Sequence, residues 1–249
     1  MALLEVRNLY KAFGGIQAVS DCTFSVEEGS ITGLIGPNGA GKTTAFNLIS
    51  GVLKPNLGQV WFDGKRIDGL QPHKITRSGM SRTFQITRNL EDMTVLENLV
   101  VQSPVNGLKG LFSNAIGPEE RERAMELLNF LGIAHLAYEE TRSLSYGQKK
   151  LMDFAALLMA KPKLVLLDEP ASGVNPALME EIIAHIKELN GQGITFLIVE
   201  HNMELVMGIC NPVVVMAAGT VIAQGPPNEI QNNPKVLEAY LGRRRYEPA

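Results

Sequence analysis

Residues 36–44 read Gly36-Pro37-Asn38-Gly39-Ala40-Gly41-Lys42-Thr43-Thr44. Glycines in such a stretch let backbone N–H groups turn towards phosphate oxygens, and a helix N-terminus adds partial positive charge. The apolar residues of 30–35 predict a strand before it, and the apolar spacing of 44–49 predicts a helix after it. Strand, loop and helix in this order form the context in which the motif binds phosphates. The alternative, a glycine-rich turn without a ligand, does not explain the spacing of lysine and threonine.

Side chains that can bind phosphate or Mg²⁺, or activate a water, occur in two motifs. Lys42 can reach β- and γ-phosphates, and Thr43 Oγ can bind Mg²⁺. A second motif follows an apolar run and reads Leu164-Val165-Leu166-Leu167-Asp168-Glu169-Pro170. Asp168 at the end of the predicted strand can hold Mg²⁺ through its water shell, and Glu169 can polarise a water for in-line attack on a γ-phosphate. The alternative is an acidic pair that caps the next turn.

Length and composition indicate a globular protein and argue against several other classes. The 249 residues suit one domain with a subdomain, and 45% apolar with 20% charged residues is ordinary for a globular protein. A net charge of −3 argues against a nucleic-acid partner. We expect Arg243–Arg245 to form a solvated tail and Cys22 and Cys210 to be reduced thiols. No signal peptide is expected, and turn residues divide the charge-free stretch 205–228, which predicts two short strands rather than a membrane span.

The remaining pattern alternates apolar strands with helices, which indicates a parallel α/β core. A small antiparallel sheet is predicted beside that core, and a mostly helical region is predicted from about 88 to 158. The predicted strands are 3–9, 16–26, 58–64, 163–168, 194–199, 213–216 and 221–223, the predicted helices include 121–131 and 177–189, and 104–117 is predicted to be a loop. The fold class is therefore α/β, with a parallel-sheet core, an antiparallel β subdomain and a helical subdomain.

A third motif, Leu144-Ser145-Tyr146-Gly147-Gln148, matches the signature of ATP-binding-cassette (ABC) ATPases. Gln85, the segment 172–176 and His201 also fit that family's motifs in order, and the chain resembles the family over essentially its whole length. The resemblance implies the ABC fold of P-loop NTPases in a single domain spanning 1–249. The nucleotide-binding core with its β subdomain would occupy 1–87 and 160–249, and the helical, signature-bearing subdomain would occupy 88–159.

The resemblance also implies roles for individual residues. Glu169 would be the catalytic base, and His201 and Gln85 would help to fix the attacking water. Thr43, Gln85 and Asp168 would serve Mg²⁺. Phe13 would be the aromatic platform under adenine, with Tyr10 as the alternative. ATP would contact Phe13, Gly36, Pro37, Asn38, Gly39, Ala40, Gly41, Lys42, Thr43, Thr44, Ser145, Gly147 and Gln148.

Finer resemblance points to the importers of branched-chain amino acids, whose close relatives import urea or short amides. It rests on 81–85, 93–99, 199–207 and 232–242. The implied partners are a second, sibling ABC ATPase, two integral membrane permease subunits and a periplasmic or extracellular solute-binding protein. The implied location is peripheral, on the cytoplasmic side of the cell membrane. A soluble ABC ATPase without a transport role and a small-molecule kinase are the alternatives.

Overall fold

The structure is a computed structural model that describes residues 1–83, 90–103 and 117–241. Its strands fall into two sheets. The strands are β1 (Ala2–Phe13), β2 (Ile16–Glu27), β3 (Ile31–Ile35), β4 (Leu57–Phe62), β5 (Lys65–Arg66), β6 (Met80–Arg82), β7 (Leu164–Asp168), β8 (Thr195–Val199), β9 (Val213–Ala217) and β10 (Thr220–Gly225). The larger sheet has the order β10-β9-β3-β8-β7-β6, and the smaller has the order β2-β1-β4-β5.

The larger sheet is parallel from β9 to β6, and β10 is an antiparallel edge strand that returns from β9. Every residue of β3, β7 and β8 is buried. Side chains alternate between the two faces: Leu164 and Leu166 pack into one apolar cluster, and Val165 and Leu167 pack into the other. A continuous apolar run is therefore what a strand covered on both faces requires. This confirms the predicted parallel core and the predicted strand pair near 213–223.

The smaller sheet is antiparallel throughout and covers one face of the larger one. β1 and β2 form a long hairpin in which Phe13 pairs with Ile16 across the turn. Apolar residues of this hairpin, such as Leu4 and Phe24, share a cluster with Phe46 of the helix that follows the phosphate-binding stretch. The predicted antiparallel sheet is confirmed. β1 and β2 extend beyond the predicted ranges 3–9 and 16–26, whereas the strand predicted at 58–64 ends at Phe62 and is followed by the short strand β5.

Helices cover the other face of the larger sheet. They are α1 (Lys42–Ile49), α2 (Pro72–Arg77), α3 (Val95–Val101), α4 (Pro118–Phe130), α5 (Tyr146–Met159), α6 (Pro176–Gly191), α7 (Met203–Ile209), α8 (Pro227–Gln231) and α9 (Pro234–Leu241). α1 and α2 are exceptions, because Phe46 of α1 and Ile75 of α2 pack in the apolar cluster on the side of the smaller sheet. α6 shows why such segments are helical: Asn175 caps its start by accepting a hydrogen bond from the Leu178 N–H, and Pro176 occupies the first turn.

α7 was missed by the sequence analysis, although Asn202 caps it by accepting a hydrogen bond from the Leu205 N–H at 3.0 Å. The loop predicted at 104–117 falls, except for Gly117, outside the described residues. Residues 90–103 and 117–159 contribute α3, α4 and α5, whereas the division of the chain at 88 and 159 stays a prediction. In the described part of the chain, no helix has the length and apolar character that crossing a membrane requires.

Candidate nucleotide-binding and hydrolysis site

The stretch 36–41 forms a tight loop between β3 and α1. Gly36 and Gly41 have positive φ angles of 151° and 95°. A Cβ atom at Gly36 would lie 2.0 Å from the carbonyl oxygen of Met216, and one at Gly41 would lie 2.4 Å from that of Ala18. Backbone from β9 and β2 therefore confines the loop, and a side chain at either position would displace it. The N-terminus of α1, which a phosphate would use, directly follows this confined loop.

Lys42 begins α1 and is buried. Its Nζ donates hydrogen bonds to the carbonyl oxygens of Gly36, at 2.7 Å, and of Pro37, at 3.1 Å. Burial lowers the pKa of Lys42, and the negative charges of Glu169 and Asp168 oppose that change. An ammonium has three donors, so a phosphate oxygen can bind beside these two carbonyls. The phosphate-binding stretch and the two carboxylates therefore lie within electrostatic reach of each other.

Asp168 ends β7 with its side chain almost fully buried. Its Oδ2 accepts a hydrogen bond from Arg82 Nη2 at 3.1 Å, whereas Oδ1 is buried without a hydrogen-bond partner among the described residues. Burial raises the pKa of Asp168, and the Arg82 guanidinium opposes that rise. A buried carboxylate oxygen without a partner is costly unless a cation or water occupies its free side. The donor set at this position therefore fits a hydrated Mg²⁺ ion.

Arg82 is a residue whose importance the sequence analysis missed. Besides Asp168, its guanidinium donates hydrogen bonds to Asn47 Oδ1 at 2.6 Å and Ser50 Oγ at 2.7 Å, and it lies 4.8 Å from the centre of the Phe46 ring. It thereby joins β6, α1 and β7 beneath the site. A single arginine at the end of the three-residue strand β6 leaves no periodic signal, so its contacts could not be predicted from the pattern.

Glu169 and His201 meet directly. Glu169 Oε1 lies 2.7 Å from His201 Nε2. Glu169 has a positive φ of 51°, and its N–H donates to the carbonyl oxygen of Val199 at 2.8 Å. Left-handed backbone at a residue other than glycine persists where surrounding structure holds it, and such residues cluster at active sites. The predicted base and the predicted histidine are thus neighbours, at the carboxyl ends of the adjacent strands β7 and β8.

Glu200 was given no role by the sequence analysis and is nevertheless buried beside this pair. Its carboxylate accepts backbone hydrogen bonds from Ala171 and His201. A signal was available, because Glu200 directly follows a buried parallel strand next to the strand that ends in Asp168. Polar residues at such strand ends gather at one edge of the sheet.

The aromatic residues proposed for adenine lie on β1. Phe13 ends the strand, and 47% of its surface is exposed. Lys11 Nζ lies 5.3 Å from the centre of its ring. Tyr10 is less exposed and pairs with Leu57 of the neighbouring strand β4. A base can stack on an exposed ring, so this exposure favours Phe13, while Tyr10 stays the alternative.

The signature residues lie at the start of α5. Ser145 caps the helix by accepting a hydrogen bond from the Gln148 N–H at 3.3 Å, and Gln148 Oε1 accepts one from the Ser145 N–H at 2.9 Å. A Cβ at Gly147 would lie 2.7 Å from a methyl of Leu178, so α6 packs closely here. Within the described residues, no hydrogen bond or ion pair joins these residues to Lys42 or Glu169. Gln85 lies outside the described residues.

The chain is similar to known proteins over most of its length. The family model described as ABC transporter matches residues 19–172, and that described as Branched-chain amino acid ATP-binding cassette transporter matches residues 220–246. Among solved structures, a nucleotide-free ATP-binding cassette from an ABC transporter is 38% identical, with a TM-score of 0.87 and coverage of 97% of this chain and 100% of the other. The ADP conformation of an ATP-binding cassette of an ABC transporter is also 38% identical, with a TM-score of 0.86 and coverage of 97% and 99%.

Curated relatives are similar over nearly their full length. The probable branched-chain amino acid transport ATP-binding protein LivG of Archaeoglobus fulgidus is 44% identical, with coverage of 97% of this chain and 96% of the relative. The high-affinity branched-chain amino acid transport ATP-binding protein BraF of Pseudomonas aeruginosa is 40% identical, with coverage of 96% and 98%. The chain therefore belongs to the ABC transporter family, in the branch of the branched-chain amino acid transport ATP-binding proteins.

Proposed function

We propose that this chain is the ATP-hydrolysing subunit of an importer of branched-chain amino acids. The observation that carries the proposal is the contact of 2.7 Å between Glu169 and His201 next to the buried Asp168. A base, a group that orients it and a carboxylate suited to Mg²⁺ are what hydrolysis of a γ-phosphate requires. The names of the relatives supply the solute class.

Different residues of the site would bind the phosphates, bind Mg²⁺ and accept the proton of the attacking water. The confined loop 36–41 and the N-terminus of α1 would hold the phosphates through backbone N–H groups, and Lys42 would donate to the β- and γ-phosphates. Mg²⁺, held by Thr43, Asp168 and, by resemblance, Gln85, would neutralise charge on the phosphate oxygens. Glu169 Oε1 would accept the proton of the attacking water. His201 would contact the γ-phosphate while its Nε2 holds Glu169 in place.

A complete site would require two cassettes. Ser145, Gly147 and Gln148 lie at the start of α5, where they could bind the γ-phosphate of ATP held by an opposing subunit. By resemblance the opposing subunit is a sibling ABC ATPase, and two membrane permease subunits and a solute-binding protein complete the importer. The chain would then be peripheral, at the cytoplasmic side of the membrane.

By resemblance, the solute is selected mostly by the solute-binding protein and the permease subunits and not by this chain. Urea or short amides are therefore the alternative solutes within the same branch. A soluble ABC ATPase without a transport role is not favoured, since the full-length relatives are named as transport proteins.

Purification from membranes tests the proposal. A tagged full chain, extracted in mild detergent, is expected to bring down an integral membrane subunit and to hydrolyse ATP in that complex. The Glu169→Gln complex is the matched control, because it should assemble equally well and lack turnover. Recovery of the chain without a membrane subunit, from cells that express the neighbouring permease genes, would exclude the importer role.

A further inference from the structure

Glu200 is a buried carboxylate that the proposed reaction does not use. It directly follows β8, and 4% of its surface is exposed. Its Oε1 accepts a hydrogen bond from the Ala171 N–H at 2.9 Å. Its Oε2 accepts hydrogen bonds from the N–H groups of His201, at 2.9 Å, and Asn202, at 3.2 Å. Three backbone donors therefore stabilise one buried charge, as charge-assisted hydrogen bonds do in an interior.

The three donors come from two loops. Ala171 lies two residues after Glu169, in the turn between β7 and α6, whereas His201 and Asn202 lie between β8 and α7. β8 is tied to the first loop at a second point, because the Glu169 N–H donates to the Val199 carbonyl oxygen at 2.8 Å. Glu200 thus holds the backbone of both loops. Glu169 projects from the first loop and His201 from the second, towards each other.

We infer that Glu200 is a positioning residue for ATP hydrolysis, which acts by holding the loop after Glu169 against the backbone of His201. The inference rests on the proposed function and names a residue of the same site. It explains why residue 200 is a carboxylate. The N–H donors come from two loops, and a carboxylate has one acceptor oxygen for each loop. A glutamine has one acceptor oxygen, so its NH₂ group would face the N–H groups of one loop and release that loop.

Glu200→Gln in the assembled complex tests the inference. Because misplaced catalytic groups slow chemistry without weakening binding, kcat is expected to fall about ten- to a hundredfold. The KM for ATP and the calorimetric ATP affinity are expected to stay within about twofold, since a purely transition-state defect leaves binding intact. Glu188→Gln is the matched control, because it makes the same chemical change at an exposed position on α6 and should leave kcat unchanged.

Glu200→Asp provides a second variant if the glutamine variant does not fold. It keeps the charge and both acceptors but is shorter by one methylene, so it cannot reach both loops, and kcat is again expected to fall with ATP affinity retained. Parental kcat in a folded Glu200→Gln or Glu200→Asp complex would overturn the positioning role alone. Equal losses of kcat and ATP affinity would also overturn it, because they would indicate a general collapse of the site. A parental complex without ATP hydrolysis would instead overturn the proposed function.

Discussion

Lys42 is a buried cation whose charge depends on its neighbours. Burial lowers its pKa, and the charges of Glu169 and Asp168 raise it. A nucleoside triphosphate at the proposed site would bring further negative charge next to Lys42, so binding of its phosphates and protonation of Lys42 would support each other. The hydrogen bonds to Gly36 and Pro37 orient the ammonium against the loop before any phosphate binds.

Lys42→Ala is therefore expected to weaken binding itself. It removes charge-assisted hydrogen bonds to phosphate, worth roughly 1.5–3 kcal/mol, and the ATP affinity should fall about ten- to a hundredfold. Calorimetry with ATP and Mg²⁺ on the full chain measures this. Lys65→Ala, at an exposed position on β5, is the matched control and should bind ATP like the parental chain. Unchanged affinity of the Lys42 variant would remove this lysine from the phosphate site.

Glu169→Gln should separate binding from chemistry. The amide keeps the shape of the side chain but cannot accept the proton of the attacking water, so turnover should fall about a hundredfold or more. ATP affinity should be retained, because the proposed phosphate contacts are made by the loop 36–41 and Lys42. The measurement is steady-state ATP hydrolysis by the assembled complex beside calorimetry. Hydrolysis by the variant at the parental rate would show that another group is the base.

The phosphate-binding loop shows how one element depends on two others. Gly36 lies against β9, with the Met216 carbonyl oxygen 2.0 Å from the position of an added Cβ, whereas a Cβ at Gly39 would meet nothing within 4 Å. Both residues have positive φ angles, 151° and 78°. A substitution at Gly39 therefore strains the backbone alone, and one at Gly36 also forces the loop away from β9.

Gly36→Ala and Gly39→Ala form a matched pair. Gly39→Ala should cost about 1–2 kcal/mol of the free energy of unfolding, from the left-handed backbone alone. Gly36→Ala should cost a further 1–3 kcal/mol, roughly, because the clash is with backbone that cannot rotate away. Urea unfolding without nucleotide measures both values. Equal losses in the two variants would contradict the close approach of β9 to the loop.

Two buried thiols, one on β2 and one directly after α7, are expected to make the fold less stable at alkaline pH. Burial raises the pKa of Cys22, on β2, and of Cys210, after α7, from an ordinary 9.0 to about 12. Between these values the unfolded thiol is ionised and the folded one is not, so stability is intact below pH 9 and is lost as the pH rises towards 12. Each thiol contributes up to about 1.4 kcal/mol of loss per pH unit in that window.

The measurement is the free energy of unfolding in urea at pH 8, 9.5 and 10.5, for the parental chain and for Cys22→Ala with Cys210→Ala. The doubly substituted chain starts less stable, because it carries cavities, and its stability should fall less steeply with pH. Parallel pH dependences in the two proteins would mean that the thiols ionise equally well in the folded and unfolded states.

Local sequence patterns predicted helices and strands whose signals lie within the segment itself. They did not predict side-chain contacts between residues far apart in the sequence. β7 and β8 are continuous apolar runs, and α6 has a capping asparagine and an apolar stripe, so they were predictable. Arg82 contacts Asp168, which lies 86 residues away, and Glu200 contacts Ala171, which lies 29 residues away. Such pairs arise from the parallel order of β6, β7 and β8, which no local pattern encodes.

The whole molecule brings its reactive groups to one edge of the larger sheet. β3, β8 and β7 are parallel neighbours. Asp168 ends β7, and Lys42, Glu169 and His201 follow the carboxyl ends of β3, β7 and β8. The signature residues begin α5, in a different part of the chain, and are joined to the loop after Glu169 through the Tyr146 hydroxyl, which donates to the Ser172 carbonyl oxygen at 3.1 Å. The arrangement suits a site completed by a second subunit, with nucleotide between the two.

Solute uptake by the assembled importer tests the central claim most directly. This chain and its proposed partners (a sibling ATPase, the permease subunits and a solute-binding protein) are assembled in lipid vesicles. Uptake of labelled leucine, isoleucine and valine is then measured with ATP supplied on the side of this chain. The parental complex is expected to accumulate these amino acids and to hydrolyse ATP, and the Glu169→Gln complex is expected to do neither while still binding ATP. Uptake of urea or short amides alone would correct the solute and leave the ATPase role in place. Undiminished accumulation by the Glu169→Gln complex would contradict the claim that this site powers transport.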